Sequence, residues 1–162
     1  MKRLVLLPLA LAAVLSASFV TSGFARAQGE EPVRLSADDL KTMLTNLGHD
    51  LKQINKDVDK EMWEFAVKTA SFNVPVGAEV SPSKQFIWLT VSLGPITDKQ
   101  DPKELLRLNG RIQPTQAYLS KKDVLMLGLA IENRSVTPAL MKSRIEKLTG
   151  DVEKSASVWN KG

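Results

Sequence analysis

The chain contains one histidine, His49, and no cysteine. A Ser-His-Asp or Cys-His nucleophile system would rest wholly on that imidazole, and no Gly-x-Ser-x-Gly elbow accompanies it. His49 directly follows Gly48, a natural helix stop, so its plain reading is a solvated residue favoured by the negative end of a helix dipole. Zinc prefers Cys and His ligands, and one His cannot make the usual site. Asp57, Asp59 and Glu61 alternate as in a calcium loop, but Met62 and Lys68 stand where that loop needs Gly and Glu. The run from Lys52 to Glu61 therefore reads as a solvated charged connector. Asp38, Asp39, Glu64 and Glu79 could in principle pair for glycoside hydrolysis, yet abundance of acids is not pairing. No glycine-rich loop offers a phosphate cradle. The expectation is a non-enzyme with no catalytic residues, no cofactor and no metal. A small hydrolase using paired carboxylates is the competing enzymatic reading.

The aromatic residues Trp63, Phe65, Phe86 and Trp88 are the candidate binding residues. Each pair sits at strand spacing, so if the two strands present them the same way, four rings share one sheet surface. Left open, that surface is the kind of apolar patch that marks a partner site, and Trp is enriched at interface hot spots. Covered by helices, the same rings are core. Asn133-Arg134-Ser135 fits a glycan acceptor pattern, which matters only in a eukaryotic secretory route.

The amino terminus bears on the compartment. Lys2 and Arg3 precede an almost wholly apolar run from Leu4 to Val20, and Ala25-Arg26-Ala27 is a small-x-small cleavage site before Gln28. That order reads as a secretory signal peptide over residues 1–27. The apolar run falls short of the roughly 20 residues a spanning helix needs, and no Cys is present to carry a lipid. The protein is thus expected to be exported, periplasmic or extracellular, with no stable membrane anchor once the leader is cleaved. Lys2, Arg3 and Arg26 leave with the leader, taking the formal charge from +4 to +1. A near-neutral remainder gives no reason to propose nucleic acid as partner. An uncleaved leader would instead suit a structural envelope protein.

The elements follow in order. Residues 28–35 read as a flexible lead-in and residues 36–162 as one α+β domain, long enough to hold a core without disulfides. Ser36 caps a first helix carrying Leu40, Met43, Leu44 and Leu47, which Gly48 ends. A short strand is expected at Leu51 to Ile54. Trp63 to Thr69, Phe72 to Val80 and Gln85 to Leu93 read as strands. Pro75 cannot donate a ladder bond and so marks an edge or bulge. Gln85 to Leu93 is apolar on both faces, as in a central or doubly covered strand. Asp101-Pro102 opens a helix through Ile112, with Glu104 placed to complete a capping box. Gln116 to Ser120 and Val124 to Ile131 are strands, and Thr137-Pro138 opens the last helix, whose apolar face runs from Met141 to Trp159. The fold class is α+β, in the order α-β-β-β-α-β-β-α, with a mainly antiparallel sheet packed against helices.

That order, with Leu105-Leu106-Arg107-Leu108-Asn109, Ala117-Tyr118-Leu119, the apolar run Val124 to Leu129 and Thr137-Pro138-x-Leu140, resembles the YbjN-like and type III secretion chaperone-like (Tir chaperone-like) superfamily. Val74-Pro75-Val76, Ser81-Pro82 and Ile87-Trp88-Leu89 are similar to its middle strands. The resemblance covers most of Leu40 to Trp159. It implies a compact, often dimeric domain that binds segments of other proteins on apolar sheet and helix surfaces. The expected partner is therefore a protein segment or a second copy of the chain, and with an export signal that binding is expected outside the cytoplasm.

Overall fold

Period-two alternation over most of residues 62–132 dictates a sheet in which every second side chain is buried. The computed structural model, which describes residues 32–161, has that sheet. The expected leader, residues 1–27, lies outside the described residues. In chain order the elements are α1 (Ala37–Asn46), β1 (Lys52–Asn55), β2 (Met62–Lys68), β3 (Asn73–Val80), β4 (Phe86–Pro95), α2 (Pro102–Ile112), β5 (Gln116–Leu119), β6 (Val124–Glu132), α3 (Pro138–Lys154) and α4 (Ala156–Trp159). The six strands are antiparallel throughout, in the order β1-β2-β3-β4-β6-β5. The α+β class and the antiparallel sheet expected from the sequence are the ones observed.

Register places Trp63 opposite Ala78, Ala78 opposite Leu89, and Leu89 opposite Leu129. That row and its neighbours Phe65, Val74, Val76, Ile87, Val91, Leu127 and Ile131 form one buried face. Leu40 and Leu44 of α1 and Met141, Ile145, Leu148 and Val152 of α3 complete the same core. Every member is almost wholly removed from water, which is the main source of stability in a chain without disulfides. Among the described residues no helix is long and apolar enough to cross a membrane.

Local chemistry sets the element ends. Ser36 and Asp39 form a reciprocal capping box on α1, and Gly48 stops it with a φ of +89°. Asp101 caps α2 by accepting from the Lys103 N–H. Glu104 does not complete a capping box there; its carboxylate turns outward to Arg107 at 2.7 Å and Arg111 at 3.8 Å. The last apolar face is not one helix: α3 ends at Lys154 and Trp159 belongs to the short α4. Its indole still reaches back to donate to the Val152 carbonyl at 3.0 Å. Pro75 lies in an interior strand, but the ladder from β3 to β4 begins only at Gly77, so Pro75 sits where that side of the strand is unpaired.

Two asparagines hold the periphery. On α2, Asn109 takes both backbone groups of Ala117: its Oδ1 accepts from the Ala117 N–H at 2.6 Å and its Nδ2 donates to the Ala117 carbonyl at 3.2 Å. These groups point away from β6, so the side chain pairs the free edge of β5 as a strand would. Asn133, 1 % exposed, accepts from the Leu35 N–H and donates to the Leu35 and Lys84 carbonyls. The Ser135 N–H also donates to the Val33 carbonyl. The last residues of the lead-in expected to be loose are therefore tied into the fold. The glycan-acceptor reading of Asn133 fails for the same reason, since both N–H groups of its amide are already committed inside the protein.

Replacing Asn109 with alanine is expected to cost about 1–2 kcal/mol and to speed hydrogen exchange at Ala117 selectively. Asn133→Ala, which removes the partners of three backbone groups at a buried side chain, should cost more, on the order of 3 kcal/mol. Urea titration of both variants, with amide exchange on the first, checks the order and the locality.

Candidate partner-binding face

A sheet has two faces, and the helices among the described residues bury only one of them. Residues of the opposite face include Met62, Glu64, Gly77, Glu79, Phe86, Trp88, Thr90, Met126, Gly128, Ala130, Gln116 and Tyr118. Their shared orientation follows from register: Met62 pairs Glu79, Glu79 pairs Trp88, and Trp88 pairs Ala130. The next row runs Glu64, Gly77, Thr90, Gly128, Gln116. Phe86 is 40 % exposed and Tyr118 41 % exposed, with Trp88 half-buried between its neighbours. Strand β4 is indeed interior to the sheet, but it is not covered on both faces.

The four aromatic candidates do not share a surface. Trp63 and Phe65, each 2 % exposed, belong to the helix-covered core. Phe86 and Trp88 alternate with Ile87 and Leu89 and so emerge on the uncovered face. The correction has a simple cause, because β2 and β4 are joined through β3 in a register that aligns Trp63 with Leu89 rather than with Trp88. His49 does follow the end of α1, but it is only partly solvated. Its ring lies 4.3 Å from that of Phe65 at a 34° tilt, and burial pushes its pKa below the ordinary imidazole value.

Small residues give the uncovered face its relief. A Cβ on Gly128 would come within 2.9 Å of Cε1 of Tyr118, so the tyrosine ring lies down across a glycine. Likewise a Cβ on Gly77 would meet Thr90 Oγ1 at 2.9 Å. Between Trp88 and Tyr118 this leaves a hollow of about 340 Å³, lined also by Glu79, Thr90, Gln116 and Gly128. Burial in the hollow raises the Glu79 pKa; burial, and secondly the Glu79 charge, raise that of the Tyr118 hydroxyl. Among the described residues, no Lys, Arg or His forms a salt bridge with Glu79.

A larger cleft of about 850 Å³ lies where α2 meets α3 and α4. Part of its charge is paired within the protein: Lys147 bonds Asp151 and donates to the Ile112 carbonyl that ends α2, and Arg111 faces Glu104, while Lys99, Lys154 and Lys161 line the rim. It reads as a helix junction. The carboxylates considered for hydrolysis are likewise dispersed. Asp39 is spent on the α1 cap, where the Ser36 hydroxyl and N–H hold its pKa down. Glu64 and Glu79 share the uncovered face but sit diagonally, opposite Gly77 and Met62 respectively. Among the described residues no group of three or more acids or His could hold a metal ion.

Met62, Gly77, Tyr118, Met126 and Gly128 were not marked by sequence pattern. Their signal was present as the odd positions out of the buried alternation, but it becomes readable only once strand order is known. A raised Glu79 pKa means the folded state holds its proton more tightly than the unfolded chain. Ionisation at neutral pH therefore costs stability, and the cost fades as pH falls through the raised value. Glu79→Gln should stabilise the protein at neutral pH by less than about 1 kcal/mol, given partial exposure. Urea midpoints should converge below the ordinary carboxylate value; equal midpoints at neutral pH would mean the carboxylate is not penalised.

No protein-family model and no curated protein matches this chain. Among solved structures, a chain of the HopA1–SchA chaperone–effector complex is similar at 13 % identity with a TM-score of 0.53, over 76 % of this chain and 91 % of that one. A chain of the complex between the Yersinia pestis type III secretion chaperone SycH and a stable fragment of YscM2 aligns at 17 % identity and a TM-score of 0.47, over 74 % and 95 % respectively. At such identities the likeness to the first is one of fold alone: this chain shares the α+β fold of that chain of the HopA1–SchA complex.

Proposed function

We propose that this protein is an exported, non-catalytic binding domain of the YbjN-like and secretion chaperone-like kind, which holds a segment of another protein on its uncovered sheet face. The observation that carries the reading is that face itself: Phe86, Trp88, Tyr118, Met62 and Met126 stand on the side of the sheet that the helices leave free. Aromatic and methionine side chains on a rigid sheet suit adaptable protein contact, and Trp and Tyr are the residues that dominate interface energies. Fold likeness to a chain of a chaperone–effector complex supports the same reading. Export rests on the leader expected from the sequence, and a second copy of the chain is the other occupant that would fit.

The test is retention of protein by the purified chain from its own envelope fraction, with mass measurement of what stays attached and with sizing of the chain alone. The wild type is expected to retain a polypeptide or to self-associate. Phe86→Ser/Trp88→Ser should lose that partner by about tenfold or more in affinity while keeping its far-ultraviolet spectrum. A strictly monomeric chain that retains nothing would overturn the proposal, as would a double variant that binds as well as the wild type.

A further inference from the structure

The hollow between Trp88 and Tyr118 has a composition that a purely apolar docking surface would not need. Among the described residues it is lined by two aromatic side chains, by Thr90, Gln116 and Gly128, and by a single formal charge, the carboxylate of Glu79. Register puts Glu79 directly across from Trp88, so the carboxylate stands beside an indole rather than at the sheet margin. Strand positions on this part of the face, from β3 to β5, include Glu79 and Glu132 and no basic residue. The Glu79 carboxylate has no salt-bridge partner among the described residues. A half-buried anion in a hollow shared with two aromatic side chains is complementary to a cation that can also stack.

We infer that the Trp88–Tyr118–Glu79 hollow is a recognition pocket for an arginine side chain of the bound polypeptide. The guanidinium fits each part of the site. Its planar face stacks on an aromatic ring, its fork of N–H donors meets a carboxylate in two places, and it is more weakly hydrated than an ammonium. Thr90 and Gln116 offer neutral oxygens for the remaining donors. At about 340 Å³ the hollow has room for the whole side chain, including its apolar stem. Gly128 is what keeps it open, because a side chain there would displace Tyr118 from the wall. The partner segment is then one that carries an arginine among apolar residues, the latter resting on Met62, Phe86 and Met126. This deepens the protein-binding reading and rests on it.

The test uses the isotope-labelled full-length chain and two probes of equal shape, N-acetylarginine amide and N-acetylcitrulline amide. Correlation spectra follow the indole N–H of Trp88, with the core indole of Trp63 as an internal reference. Saturable movement of the Trp88 signal by the arginine probe, about tenfold weaker or more for citrulline, is expected. Glu79→Gln should reduce the arginine response to the citrulline level without moving the Trp63 signal. Equal responses to the two probes, an arginine response unchanged in Glu79→Gln, or no saturable response would overturn the inference. Envelope-partner retention that depends on Phe86 and Trp88 but shows no arginine preference overturns this pocket and leaves the protein-binding reading standing. Arginine binding with no retained polypeptide does the reverse.

Discussion

A straight row of buried side chains, Trp63, Ala78, Leu89 and Leu129, crosses four neighbouring strands and fixes which side of the sheet the helices must cover. Side-chain period in a strand is two, so shifting any one of these strands by a single residue would send its apolar set to the wrong face. With the row in place, α1 and α3 have a continuous apolar floor to pack on. The opposite face then receives whatever the intervening positions hold. Here they hold Phe86, Trp88, Tyr118 and methionines beside glycines and the half-buried carboxylates of Glu64 and Glu79. The proposed function is thus a consequence of one-sided packing.

The same constraint explains how the sheet edges are managed. A free strand edge invites pairing with other chains. On one side, β5 lies against α2, and the Asn109 amide occupies the outward groups of Ala117. On the other, β1 is only four residues long and its register slips between Gln53 and Asn55. In the proposed reading a partner meets the flat face rather than the edge of β5, and side chains rather than backbone decide what is bound.

Much of this architecture was legible in the residues. Cap-then-proline pairs at Asp101-Pro102 and Thr137-Pro138 marked helix starts, Gly48 marked a stop, and alternation marked each strand. Relative facing was not legible. Trp63 and Trp88 carry the same local signal, and only the register through β3 separates one into the core and the other onto the surface. Tyr118 could not be linked to Gly128, nor Glu79 to Trp88, because both contacts cross strands and depend on the exact register of a hairpin. Asn109 was visible as part of a helix signature, but its role depends on a strand that comes after it. The partial cover of His49 by Phe65 is likewise a tertiary contact.

The most direct measurement of one-sided packing uses the absence of cysteine from the chain. Single-cysteine variants Ala130→Cys, on the uncovered face, and Ala78→Cys, in the buried row, can be compared for maleimide labelling rate in the folded protein. Fast labelling at position 130 with position 78 protected, and slowing at position 130 when the retained partner is present, is the predicted result. Comparable rates at the two positions, or a position 130 shielded in the free monomer, would contradict a sheet with one face covered and the other free to bind.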